Sequence, residues 1–183
     1  MALPAPSAVA PCQNLDRLPR GEDRNIGAGY AMAMAGAGAA VLYFLVQAAI
    51  TLLLPFSIGN ATPSLFLGFA AVAFLSGAVS VAGVITPVAF VAGITAWRLT
   101  PTSVPYTGAV SGLIATLLVY VGPSVIGIGG AIVLAILTGG VVAEAVVGVA
   151  AFAGFAFVAT CWITLPLGIV AGTLYERSRS PAE

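Results

Sequence analysis

Between Gly27 and Tyr175 this chain carries two charges, Arg98 and Glu144. The uncharged stretches run over 27–97, 99–143 and 145–175. A run of about 18 apolar residues already reads as a membrane span, because about 20 residues at 1.5 Å rise cross the ~30 Å hydrocarbon layer of a bilayer. Hydrophobic residues make up 60% of the chain and charged ones 7%, against about 45–50% and 25% in a soluble domain. The fold class that follows is all-α, a polytopic membrane protein.

Turn signals divide the apolar sequence. A charge-dense stretch, NLDRLPRGEDRN, closes a Pro-rich opening and reads as a disordered cytoplasmic head over 1–26. That opening lacks the basic n-region and apolar core of a signal peptide, so the first span is expected to serve as the uncleaved insertion signal. The membrane domain is expected over 27–177, with spans at about 29–56, 64–97, 106–138 and 145–175, and a short tail over 178–183. Pro55 and SIGNATPS should end the first span, and Ser64 is a candidate N-cap for the second. Trp97 falls at the expected interfacial depth beside Arg98.

The region 105–143 is ambiguous. It reads as one helix kinked at Pro123, or as two short spans meeting at Gly122-Pro123, or as a re-entrant break that would need shelter in protein or a cavity. Arginine placement favours one helix. Cytoplasmic flanks of spans are enriched in Lys and Arg, and four spans put Arg17, Arg20, Arg24, Arg98, Arg177 and Arg179 on one side. Five spans would expel Arg177 and Arg179 to the other. Four spans in two hairpins, with both termini cytoplasmic, is therefore the expected topology. Spans of this length exceed the hydrocarbon thickness, so tilt, kinks at Pro87, Pro123 and Pro166, or helix ends projecting into the headgroups must absorb the surplus.

PVAFVAGITAWR, ending at Arg98, and PLGIVAGTLYER, ending at Arg177, match at an offset of 79. Pro87 aligns with Pro166, Ala89 with Gly168, Gly93 with Gly172 and Arg98 with Arg177; the same offset pairs Gly29 with Gly108. Either a two-span hairpin was duplicated, giving parallel repeats about an axis along the membrane normal, or two spans converged on one way of ending. In both cases the chemistry is packing. Lipid tails are as apolar as Leu, so spans gain by close approach through small residues. Gly108-xxx-Gly112, Gly168-xxx-Gly172, Ala89-xxx-Gly93 and the Ala31, Ala35, Ala39 series all offer such surfaces.

AGITAWR followed by YTGAVSGLIATLL, together with the terminal PLGIVAGTLYER, resembles small four-span membrane proteins of archaea, chiefly haloarchaea, that form a family of unknown function. The likeness covers residues 64–177 and includes the Gly-x-x-Ser-Gly start of the third span, Gly108 to Gly112. It implies a four-span topology and no particular activity. The long Pro-rich head and the acid-poor loops depart from it.

Much chemistry is excluded by what is missing. With no His and no Lys there is no Schiff-base lysine, no histidine-liganded haem or zinc, and no Ser-His or Ser-Lys dyad. Ser111 is therefore expected to be a packing serine. Cys12 and Cys161 imply neither a disulfide framework nor a metal site, and zero net charge without a basic cluster argues against nucleic acid. No cofactor is expected. Glu144 is the carboxylate nearest the membrane core, and intramembrane acids are functional candidates by default; the topology instead puts it at the start of the last span, where the helix dipole favours it. Gln47 sits mid-span and suits an interhelical hydrogen bond. Asn60 heads a glycosylation sequon close to the bilayer.

Two functions remain. One is a non-enzymatic accessory or scaffold subunit acting by helix–helix association with itself or other membrane subunits. The alternative is a small transporter or channel, dimeric, using Glu144 and Gln47 as an ion or proton site. A lipid-modifying enzyme is disfavoured for want of an acid/base pair. A dry seam or a wet, polar interior separates the two, and the composition favours the dry seam.

Overall fold

The computed structural model describes residues 18–20, 23–58, 63–101 and 106–179, with the side chains of 52–70 outside that description. Cys12, Arg17, Asn60 and most of the Pro-rich head lie outside the described residues. Four helices account for nearly all of the rest: α1, Arg24–Ile58; α2, Pro63–Leu99; α3, Thr107–Thr138; and α4, Val142–Arg179. Each contains a segment long and apolar enough to cross a membrane. The protein is an all-α, multi-pass membrane protein.

The helix limits differ from the expected spans for local reasons. The first helix starts at Arg24, inside the expected head, because Asp23 accepts a hydrogen bond from the Asn25 backbone N–H at 2.8 Å and caps it. It continues past Pro55 to Ile58. Pro63 is the first residue of α2, a position where its missing N–H is no loss, so Ser64 lies inside the first turn rather than at the N-cap. Residues 107–138 form one continuous helix with Pro123 inside it, which removes the split and re-entrant alternatives. The last helix runs to Arg179, two residues into the expected tail.

Pro87, Pro123 and Pro166 all lie within helices. Each removes one backbone hydrogen bond, and each has a hydroxyl close by that bonds back to a carbonyl four residues earlier. Thr86 donates to Ala82 O at 2.6 Å, Ser124 to Tyr120 O at 2.6 Å, and Thr164 to Thr160 O at 3.1 Å. Such back-bonding accompanies bends and helps satisfy the backbone where no water reaches.

The helices pack in cyclic order. α1 lies chiefly on α2 and α3 on α4, and these hairpins meet through α2 with α3 and α1 with α4. One end, the base, carries the starts of α1 and α3 and the ends of α2 and α4. The buried side chains concentrate there, within residues 27–40, 89–100, 107–116 and 163–175; elsewhere among the described side chains only Ala78 and Ala135 are buried. At lengths of 32–38 residues the helices are about 48–57 Å long, and beyond the base their large side chains face outward. Ile126 is 76% exposed and Leu137 77%.

The core of the base joins Ala28, Ala31 and Met32 of α1, Ala96 and Trp97 of α2, Ala115 of α3 and Tyr175 of α4. Ser111 is fully buried and its hydroxyl has no hydrogen-bond partner among the described residues. An unpaired buried hydroxyl costs about 1–3 kcal/mol, and Ala fits in the same space. Ser111→Ala should therefore leave stability unchanged or raise it by about 1 kcal/mol, whereas Ser111→Val should lower it. Unfolding of each variant in detergent, followed by tryptophan fluorescence, checks the order.

Candidate functional site

Spacing by four places residues one above another on a helix face. On α3 that spacing picks out Gly108, Gly112, Thr116, Tyr120 and Ser124; on α4 it picks out Thr160, Thr164, Gly168, Gly172 and Glu176. The antiparallel hairpin lays one row against the other. A Cβ added to Gly112 would run into the Gly168 carbonyl, one on Gly172 into the Gly108 carbonyl, and one on Gly168 into the Thr116 hydroxyl. The backbones touch here, and a side chain larger than hydrogen cannot be inserted.

Polar rungs continue the row in both directions. At the base, the Gly108 N–H donates to the Glu176 carboxylate. Tyr106, in the left-handed region at φ 61°, contributes no side-chain cap to α3, so a carboxylate from α4 takes that role at a helix N-terminus, where the dipole favours negative charge. Above the glycines, the Tyr120 hydroxyl lies 2.7 Å from Thr160 Oγ1 and 2.6 Å from Thr164 Oγ1. The Tyr120 ring also stands edge-on to Phe157, with centroids 5.0 Å apart.

The other hairpin crosses at the positions 79 residues earlier. A Cβ on Gly93 would lie 3.0 Å from the Gly29 Cα and 3.0 Å from the Ala28 carbonyl; one on Gly36 would lie 3.0 Å from the Ala89 Cβ. Gly29 thus meets Gly93 as Gly108 meets Gly172. Farther from the base, Phe44 fills the space beside Gly77.

Aromatic and charged groups tie the hairpins together. Trp97 is buried at 3% exposure and packs edge-on to Tyr175 at 5.8 Å, so it serves the core of the base instead of facing the headgroups. Tyr175 donates its O–H to the Arg24 carbonyl at 2.8 Å and accepts from Arg179 at 3.0 Å. Arg98 and Arg177 are exposed in the last turns of α2 and α4.

Above the base the hairpins leave between them a half-open cavity of about 650 Å³ lined by all four helices. Met32, Ala89, Thr116 and Gly168 are among the residues nearest its base end, and among the described residues no charged side chain lines it. Its hydroxyls are those of Thr116, Ser124, Thr160 and Thr164, with Tyr43 and Tyr120. The two residues expected to handle ions do not meet there. Glu144 is exposed in the first turn of α4, at the end opposite the base. Gln47 donates to the Tyr43 hydroxyl on its own helix at 2.9 Å. Among the described residues no cluster of His, Cys, Asp or Glu could hold a metal ion.

The glycine pairs were visible in the sequence. The polar rungs were not singled out, although Glu176 follows Gly172 by four and Thr116 and Tyr120 continue from Gly112 by fours. The cavity depends on how two hairpins lean together, and no local pattern encodes that.

No protein-family model matches this chain, and no curated protein or solved structure matches it either. Nothing in these comparisons bears on the archaeal four-span resemblance.

The contact geometry makes the glycines unequal. Gly112→Ala forces the α3 and α4 backbones apart and should cost about 1–3 kcal/mol. Gly130→Ala points a methyl into open space and should stay within about 0.5 kcal/mol of the parent. Paired unfolding curves in one detergent measure the difference.

Proposed function

We propose that this is a non-enzymatic membrane protein, an accessory or scaffold subunit that works by helix–helix association. One observation carries the reading. Gly129, Gly130, Gly148 and Gly154, in the halves of α3 and α4 away from the base, and Gly122 at the middle of α3, have nothing opposite them among the described residues within 4 Å of an added Cβ. The glycines of the base crossings, Gly29, Gly93, Gly108, Gly112, Gly168 and Gly172, are used up by contacts within the chain; these are not, and Gly38 of α1 and Gly83 of α2 are open as well. A helix gives up about 1 kcal/mol for Gly in place of Ala, and close approach by a neighbouring span would recover it. The partner surface is then the outer half of the second hairpin, and the partner is another copy or a different membrane subunit.

The base faces the cytoplasm in this proposal. Arg20, Arg24, Arg98, Arg177 and Arg179 all belong to the base, as the enrichment of Arg on cytoplasmic flanks requires. Duplication of a hairpin is supported by the equivalent crossings, Gly29 on Gly93 and Gly108 on Gly172. The competing transporter reading needs Glu144 and Gln47 near a shared path, and their separation weighs against it.

Extraction in mild detergent and native mass measurement test the proposal. A complex of two or more chains, reduced to single chains by Gly130→Leu with Gly154→Leu, is the expected result. A monomer without partners across several detergents and in lipid nanodiscs would sink it.

A further inference from the structure

Two arginines at the base are left without a partner, and their positions are equivalent. Arg98 in the last turn of α2 and Arg177 in the last turn of α4 are both exposed. Neither donates a hydrogen bond or joins an ion pair among the described residues. An arginine near a helix end can satisfy itself on the last carbonyls or on a neighbouring side chain. Arg179 does the latter, donating to the Tyr175 hydroxyl at 3.0 Å. The carboxylates of the base are turned to helix starts: Asp23 accepts from the Asn25 N–H at 2.8 Å, and Glu176 from the Gly108 N–H. We propose that Arg98 and Arg177 are two separate seats for anionic phospholipid headgroups, one lipid at each. This inference requires only that the four helices cross a membrane with the base at a headgroup layer, and it stands apart from the association reading.

The two seats share a height and lie on different sides of the bundle. Gly93 of α2 crosses Gly29, and Gly172 of α4 crosses Gly108. Each arginine follows its crossing glycine by five residues, about 7.5 Å along the helix axis. Trp97 and Tyr175 face inward and meet edge-on at 5.8 Å, which fixes the rotation of both helix ends. Arg98 is turned about 100° from Trp97, and Arg177 about 200° from Tyr175, so both leave the core. In the cyclic packing α2 and α4 stand at diagonal corners, with the core of the base between them.

The surroundings of the base match a lipid headgroup layer. Arg98 is the single charge of α2, and α4 has none between Glu144 and Glu176, so apolar helix begins within a turn of each arginine. Leu99, beside Arg98, is 66% exposed. Tyr106 at the start of α3 is 82% exposed in the left-handed region, and its hydroxyl bonds to nothing among the described residues. Exposed aromatic rings of this kind collect at membrane interfaces. Lipid surrounds the whole circumference and meets both corners, whereas a protein partner reading both arginines would have to reach around the bundle.

The cation chosen fits a phosphodiester. All six basic residues of the chain are arginine and none is lysine. A guanidinium offers a planar fork that holds two phosphate oxygens at once, while an ammonium acts as a point charge. A phosphatidylglycerol headgroup leaves its negative charge to the arginine. A phosphatidylcholine headgroup carries its own cation and cancels much of that attraction. One arginine beside an anionic membrane surface is worth about fivefold in affinity.

Native mass measurement of the full-length protein in detergent, with dioleoyl phosphatidylglycerol or dioleoyl phosphatidylcholine at equal concentration, tests the proposal. The parent should retain two phosphatidylglycerol molecules per chain, each held about fivefold tighter than phosphatidylcholine. Arg98→Gln or Arg177→Gln should remove one of the two. The double substitution should bring phosphatidylglycerol down to the level of phosphatidylcholine. Both side chains are exposed, so the variants keep the fold. Equal retention of the two lipids by the parent overturns the proposal, and that comparison needs no variant. Phosphatidylglycerol binding that survives the double substitution overturns it too, as does a loss confined to one position. The number of chains is read from the same spectrum, so a failure of lipid binding and a failure of association are seen separately.

Discussion

Two backbones in contact set the geometry of this protein. Where α3 crosses α4, Gly112 meets the Gly168 carbonyl and Gly172 meets the Gly108 carbonyl, and no side chain intervenes. Water drives helices together in a soluble protein by expelling apolar surface, but lipid gives no such drive. Dispersion over many short contacts must supply it instead. Glycine allows those contacts, and the same close approach brings Glu176 to the Gly108 N–H and Tyr120 to the two threonines. A wider crossing would lose the carboxylate cap and the hydroxyl cluster together.

The polar groups divide by depth. At the base, near the expected membrane surface, Asp23, Glu176, Arg24 and Arg179 cap helix ends and tie termini together. Within the spans the polar chemistry is almost all hydroxyl, and most of it bonds back to the helix that carries it. Hydroxyls suit that role because they can satisfy a proline-interrupted ladder without introducing charge. The cavity inherits its character from this economy of donors.

The number and class of the helices were legible from where charge is absent. Arg98 and Glu144, standing alone in a long apolar sequence, mark the turn after α2 and the start of α4. Asp23 as an N-cap was hidden in a stretch whose density of charge suggested a tail. Trp97 looked like an interfacial anchor because position along a helix gives depth, while facing direction depends on the partner helix; here Tyr175 claims it. The glycine pairs stood out as a motif, yet their continuation through Thr116, Tyr120 and Glu176 mixes residue types and carries no compositional signal. Only the spacing by four connects them.

Every contact described between the two hairpins lies at the base, while the other half of each helix presents large apolar side chains outward. Lipid around the base meets helices packed on one another; beyond the base it meets the exposed apolar side chains of two hairpins. The contacts that hold the two hairpins to each other sit in one half of the helices, so in the other half each hairpin stands on its own internal packing.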